Sequence, residues 1–461
     1  MRKAMFLAMA AALGCGGGAD TVEAQTTRVT VSSSGGEGGT NAWIGGSPVR
    51  TRVVVGADGE TYVGVWIDAP DQPGRQERPP MALSLVVDTS GSMSGDKIQN
   101  ARIAASSLLE SLQDGDIVSI YSFDNGVREI AAPTTVSTNT RGTLMQSVQY
   151  LHAGGGTNMY GGVQVGVNRL AATPATHTVR RLVLISDGHA NIGPSDPYSL
   201  GNLAGNATEY GVQVTGIGVG LDYDENTLGA LAVRSSGRLY HLEQPYQMAQ
   251  ILQQEVQLLA NTVATDAIIE INPGPGVTIL EGVTTGAQIS DGRLRVPLGS
   301  VYAGQQREIL FRARVTANRT GNRNLATARF VYRTPDDEHA RRTQEVAIGY
   351  EVTRDQVAAQ GSAQPRVQAM VANYRAAEAQ RQAAVALNNG NRAEADRQFE
   401  FAEDALVEGA MAAPAAQREV MQERLNRVRS TRSRAQRAAT PAAARGAALE
   451  SYDAAMDAEG Y

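Results

Sequence analysis

Asp88-Thr-Ser90-Gly-Ser92 sets one carboxylate and two hydroxyls at alternate positions directly after the apolar run Ala82 to Val87. Oxygen donors packed this closely suit a hard divalent cation. Mg²⁺ and Mn²⁺ take oxygen ligands in octahedral geometry, and Mg²⁺ retains water, so short Ser and Asp side chains serve it better than His or Cys. Two later segments carry matching chemistry. Gly154-Gly-Gly-Thr157-Asn158 offers a third hydroxyl ahead of a helical stretch beginning near Tyr160, and Arg181-Leu-Val-Leu-Ile-Ser-Asp187-Gly is a second apolar run ending in a carboxylate. The plainer alternative for the Asp88 loop is a strand-to-helix turn in which Ser or Asp caps the helix.

Bringing these groups together demands a particular scaffold. Leu83-Ser-Leu-Val-Val87 reads as a parallel strand buried on both faces, Gly91 and Gly95 allow a sharp bend, and Lys97 to Leu112 has helical periodicity. In open α/β sheets, ligands sit outside the carboxyl ends of the strands, which is where such a loop falls. With all three segments in this order, the sequence resembles the von Willebrand factor type A domain and its metal-ion-dependent adhesion site. The likeness covers roughly Met81 to Asn261, including strand-like Val118 to Phe123 and Val212 to Val219. It implies a doubly wound, mostly parallel, Rossmann-like sheet. It also implies a metal site on Asp88, Ser90, Ser92, Thr157 and Asp187, all five of which match the family's ligand types. By the same likeness the ion is Mg²⁺ or Mn²⁺, with Ca²⁺ admitted by the same donors, and an Asp or Glu carboxylate of a partner protein completes the coordination.

Turnover would need a positioned general base or nucleophile beside the ion. His189 is the best candidate, yet a lone loop histidine more often faces solvent. Gly91-Ser-Met-Ser-Gly95 has Met93 where a nucleophile elbow needs serine, and Ser94-Gly-Asp-Lys97 lacks the companion motifs of a Ser-x-x-Lys enzyme. Asp222-Tyr-Asp224-Glu-Asn226 begins like a calcium loop, but Thr227 replaces its glycine and Val233 its final glutamate; helix capping before Leu228 is the better reading. The five histidines are scattered. The chain is therefore expected to bind rather than catalyse. A metal-assisted hydrolase, or an envelope assembly factor that holds its partner through a helical tail, are the alternatives.

Arg2 and Lys3 precede the apolar stretch Ala4 to Leu13, too short to span a bilayer and fitting a signal-peptide core. Cys15, the only cysteine, ends Ala12-Leu-Gly-Cys15 and resembles a bacterial lipobox, so export and membrane attachment through a lipid at Cys15 are expected. Cleavage after Ala24 in Val22-Glu-Ala24, giving a soluble exported protein, is the competing reading. A formal charge of −6 gives no general attraction to nucleic acid.

Around the central unit the pattern changes to period-two alternation, from Thr27 to Ser32, Arg50 to Val55 and Thr61 to Ile67 before it, and in five segments between Ala267 and Val352 after it. Neither flank supplies enough strands for a double sheet, so the two are expected to pair as one antiparallel β-sandwich into which the central unit is inserted. The predicted organisation is a leader and tether at 1–25, sandwich strands at 26–80, the α/β unit at 81–262, the rest of the sandwich at 263–354, helices at 355–440 and a poorly ordered tail at 441–461. Within the helical part, 355–388 and 391–411 read as a hairpin joined at Asn388-Asn-Gly390, and the arginine-rich stretch 414–437 as a solvated helix.

Overall fold

Alternating strands bury one face only when a second layer covers it, whereas uniformly apolar strands need cover on both faces. Both solutions occur here. The computed structural model describes residues 29–33, 43–57, 59–71, 78–335 and 337–461; Cys15 and Ala24 lie outside the described residues. Four strands come first, β1 (Val29–Ser33), β2 (Ile44–Pro48), β3 (Arg52–Val54) and β4 (Gly59–Asp68). A central six-stranded sheet follows, built from β5 (Met81–Asp88), β6 (Ile117–Phe123), β7 (Val127–Thr135), β8 (Val179–Ser186), β9 (Val212–Val219) and β10 (Arg238–Leu242). Its order is β10-β9-β8-β5-β6-β7, parallel except for β7.

Every residue of β5 is buried, and its side chains divide between two cores. Leu83, Leu85 and Val87 join Ile98, Ala101 and Leu108 of α1 (Asp96–Ser111), with Leu144 of α2 (Thr138–Ser147) on the same side. Ala82 and Val86 face Val163 and Val167 of α3 (Met159–Ala171), with Leu200 of α4 (Pro197–Ala207) and Leu228 of α5 (Glu225–Ser235). The last helix of the unit, α6 (Met248–Ala260), returns to the first side through Leu252 and Val256. Because the chain runs from β5 outward to β6 and later crosses back to β8, β5 marks the point where strand order reverses, and a crevice opens above its carboxyl end.

The second flank supplies β11 (Thr262–Pro273), β12 (Thr278–Gly282), β13 (Gln288–Ser290), β14 (Arg293–Tyr302), β15 (Gln306–Val315), β16 (Gly321–Thr334) and β17 (Asp337–Thr353). These pair with the first flank as expected. β4 runs antiparallel to β15 from Asp68↔Gln306 to Gly59↔Val315, while β1 and β3 both lie on β17. The resulting sheets, β1-β17-β16-β11-β14-β13 with β3, and β12-β15-β4-β2, enclose a core containing Val65, Ile269, Phe311 and Phe330. The α/β unit is thus inserted between the halves of an antiparallel sandwich.

The C-terminal helices depart from expectation in two places. The first expected helix is broken, with α7 (Gln356–Gln360) ending at Gly361 and α8 (Pro365–Asn388) beginning on a proline, which is tolerated in a first turn because that N–H has no helical partner. Three more helices follow, α9 (Arg392–Ala412), α10 (Ala415–Arg437) and α11 (Pro441–Ala458). The expectation of a poorly ordered tail at 441–461 is corrected by α11. Alanine is the strongest helix former, and Ala447, Ala448 and Ala455 are small enough to let α11 seat closely on its neighbours. The chain ends buried, with the Tyr461 hydroxyl donating to the Thr285 carbonyl at 2.8 Å and the Arg307 guanidinium over its ring. The arginines of α10 are largely engaged within the protein: Arg427 pairs with Asp453, Arg432 with Asp396 and Glu403, and Arg434 with Glu243. Among the described residues, no helix is long and apolar enough to cross a membrane.

Candidate metal centre

Asp88 is the last residue of β5 and is fully buried. Its Oδ1 accepts the Ser90 amide at 2.8 Å, and its Oδ2 accepts the Ser186 hydroxyl at 2.6 Å. Burial raises its pKa above the ordinary carboxylate value; hydrogen bonds from Ser186 and Ser90 oppose that rise, and the negative charge of Asp187 adds to it. A fully buried carboxylate beside a second one calls for positive charge nearby.

The remaining groups come from two other loops. The Ser90 and Ser92 hydroxyl oxygens are 3.0 Å apart, and Ser92 donates to Asp187 Oδ1 at 2.7 Å. Asp187, also fully buried, follows β8, the strand beside β5. Thr157 is reached through backbone: Gly154 donates to the Thr89 carbonyl at 2.7 Å and Gly91 to the Gly155 carbonyl at 3.1 Å, so the two loops are stitched edge to edge. On its far side, the Thr157 amide donates to Asn191 Oδ1 at 2.8 Å, and its carbonyl accepts from the Asn191 and Ile192 amides. Gly156 sits in a tight place, where a Cβ would lie 2.7 Å from Ile192 Cδ1 and 3.0 Å from the side-chain oxygens of Asn125 and Asn191. Met93, fully buried, anchors the tight turn after Ser92. All five residues singled out from the sequence therefore lie on three loops joined directly by hydrogen bonds at the carboxyl ends of β5 and β8.

This donor set is oxygen throughout. Among the described residues, no group of three or more His, Cys, Asp or Glu side chains gathers at one point, so the hydroxyls must serve as ligands if a metal is held. Their spacing fits. Mg²⁺–O bonds of 2.0–2.1 Å give an octahedral edge of about 2.9 Å, and the 3.0 Å and 2.7 Å separations along Ser90, Ser92 and Asp187 bracket that length. Two carboxylates would balance a divalent charge.

Lys97, Ser186 and Asn191 also belong to the site, although sequence reasoning gave them no role there. The Lys97 ammonium, in the first turn of α1, pairs directly with Asp187 Oδ2. Ser186 is the residue before Asp187, and its hydroxyl reaches the other carboxylate. His189 stands apart: its side chain is 68% exposed and its ring nitrogen lies 4.0 Å from Asp224. Asp224 caps α5 through the Asn226 and Thr227 amides, as expected.

Residues 83–254 match the von Willebrand factor type A domain model, and the chain carries such a domain. An uncharacterised protein of Synechocystis sp. is 27% identical over 247 residues, which cover 50% of this chain and 57% of that one. The inter-alpha-trypsin inhibitor heavy chain H3 of Mesocricetus auratus is 26% identical over 200 residues, covering 41% of this chain and 22% of its own length. The chain thus spans less than two thirds of either relative. Among solved structures, a von Willebrand factor type A protein from Catenulispora acidiphila superposes with a TM-score of 0.73 at 17% identity, covering 90% of this chain and 96% of that one. The ArnB paralog VWA2 from Sulfolobus acidocaldarius gives a TM-score of 0.59 at 15% identity, covering 91% and 99%. Both superpositions extend through the sandwich and helices, so the likeness in fold reaches well beyond the α/β domain.

Proposed function

We propose that this von Willebrand factor type A domain holds Mg²⁺ or Mn²⁺, with Ca²⁺ admitted, on Asp88, Ser90, Ser92, Thr157 and Asp187, and uses it to capture an Asp or Glu carboxylate of a partner protein. The observation that carries this reading is the run of oxygens from Ser90 through Ser92 to Asp187, 3.0 Å and 2.7 Å apart, on loops that also carry the buried Asp88 carboxylate and Thr157. The bound ion supplies a positive centre with affinity for one more oxygen. The protein's own groups do the rest: Asp88 and Asp187 furnish negative charge, and the neutral hydroxyls leave the ion electrophilic. His189 faces solvent and Asp224 rather than this cradle, which favours binding over turnover. In the same reading the protein is exported and held at a membrane by a lipid on Cys15, placing the cradle in the cell envelope.

The test is metal-linked stability and capture. At a free Mg²⁺ concentration 100-fold above Kd, binding stabilises by about 2.7 kcal/mol, which for a unit of this size raises Tm by roughly 5–11 °C. Asp88→Ala and Thr157→Ala should abolish or sharply reduce that rise. Capture of a partner from envelope extract should require the divalent ion and fail in Asp88→Ala. A wild-type Tm indifferent to Mg²⁺ and Mn²⁺ would exclude the cation site.

A further inference from the structure

The cradle holds a cation of the protein's own. Lys97 is one of two lysines in a chain whose other basic residues are arginines, and its ammonium sits on Asp187. That contact is backed by the loop from Gly220 to Asp224. Gly220 adopts φ +81°, and a methyl group built on it would lie 3.7 Å from both Cε and Nζ of Lys97. Gly220 therefore lies beside the end of the lysine side chain.

Gly220 itself is held by its amide, which donates to the Leu242 carbonyl at 2.7 Å, and the rest of the loop is held from far away in sequence. Arg445 of α11 donates to the Leu221 carbonyl at 3.1 Å and the Tyr223 carbonyl at 2.9 Å, and grips both oxygens of Glu225 at 2.7 Å and 2.5 Å. Asn388, at the end of α8, braces the same pair, donating to Glu225 and accepting from Arg445. A planar guanidinium is suited to this task, because its fixed fork of donors can serve two carbonyls and a carboxylate at once. The Arg445 grip thus spans the two consecutive segments that flank Tyr223, itself buried against His241.

We propose that Lys97 is an internal competitor for the divalent ion, and that Arg445 is the positioning residue that keeps it seated. The proposal rests on the reading of the cradle as a cation site. With the loop clamped, the ammonium stays on Asp187 and an incoming divalent ion must displace it or bind against its charge. With the clamp released, the ammonium loses its backing and the ion binds more tightly. The C-terminal helices thereby set the affinity of a site they do not touch.

The experiment measures Mn²⁺ affinity by calorimetry on the full chain, for wild type, Lys97→Ala, Arg445→Ala and the double variant. Lys97→Ala should tighten binding about 5- to 150-fold, the range of a coupling between two sites that share one group, and Arg445→Ala by a smaller factor. In the Lys97→Ala background Arg445→Ala should add nothing, and Arg445→Lys should recover part of the wild-type value. Asn388→Ala, a milder loss of the same clamp, provides the measurement if Arg445→Ala disturbs the helices. Unchanged or weaker binding in Lys97→Ala, or an equal effect of Arg445→Ala in both backgrounds, overturns the proposal alone. Wild type with no Mn²⁺ binding that Asp88→Ala removes overturns the cation site itself, and the proposal with it.

Discussion

Glu255→Gln exchanges one atom and should cost the protein several kcal/mol. Glu255 lies on α6 at 1% exposure and accepts the Thr215 hydroxyl at 2.6 Å and the Tyr240 hydroxyl at 2.9 Å. Its charge answers that of Arg181 on β8, 3.5 Å away and fully buried, whose guanidinium also donates to the Tyr302 hydroxyl of β14 at 2.5 Å. One network therefore links the sheet, the last helix of the domain and the sandwich. Glutamine keeps the volume and an acceptor for Thr215, so no cavity forms; what it removes is the negative charge, together with the acceptor of the Tyr240 hydroxyl. An arginine left uncompensated in the interior costs about 3–5 kcal/mol, and at 2–4 °C per kcal/mol for a unit of this size the Tm should fall by roughly 6–20 °C. Circular dichroism melts and urea titrations with an unchanged m-value measure it. The paired change Arg181→Met with Glu255→Leu removes both charges together and should recover most of the loss, because apolar replacement of a whole buried pair is close to neutral. A single-variant loss below about 1 kcal/mol, or a double variant as unstable as the sum of its parts, would refute the assignment of the cost to unpaired charge.

Two further outcomes test how the C-terminal helices dock. Burial holds His241 down to about 4, against about 6.5 in an unfolded chain, so the unfolded state takes up the proton first. The stability this gives is full above about pH 6.5 and is lost as pH falls from there towards 4, at most about 3 kcal/mol. His241→Phe keeps a ring against Tyr223 and should flatten that part of an acid titration; an unchanged slope would clear His241 of the effect. Tyr461→Ala removes a buried ring, a hydrogen bond to Thr285 and the face on which Arg307 rests, and should destabilise by about 3–5 kcal/mol. An unaltered melting profile would show that the chain end is not docked.

Much of this architecture is legible in the sequence because each layer has its own hydrophobic period. The short, largely apolar runs at Ala82 to Val87 and Leu182 to Ile185 fit strands covered on both faces, and the alternating flanks need each other to close a sandwich. Three strands of the sandwich escape such reasoning, as do β7 and β10 of the central sheet. β2 contains Gly45-Gly46 and ends in Pro48, a poor strand on propensity, yet a Cβ at Gly45 would strike the Trp66 indole at 2.3 Å, so tertiary packing demands the residue that local preference rejects. β12 and β13 are short and follow the turns of the sandwich edge. The tail misleads for the opposite reason, since its alanine-rich composition looks featureless until a neighbouring helix supplies a surface close enough to use small side chains.

At the candidate site, spacing points to the proposed ligands but not to counter-charges. Asp88, Ser90 and Ser92 are two residues apart, and Thr157 and Asp187 follow strand and helix signals that place them on the same rim. Lys97 carries no such signal, because its partner Asp187 lies ninety residues along the chain and the two meet only after β5 and β8 have paired. That meeting makes the two carboxylates unequal. Asp187 has an ammonium on one oxygen and a hydroxyl on the other. Asp88 has only neutral donors, from Ser90 and Ser186, against full burial and the charge of its neighbour. On the proposed reading, the demand for a cation is therefore concentrated on Asp88, the residue that opens the motif, while Asp187 is the carboxylate already paired with a cation of the protein's own.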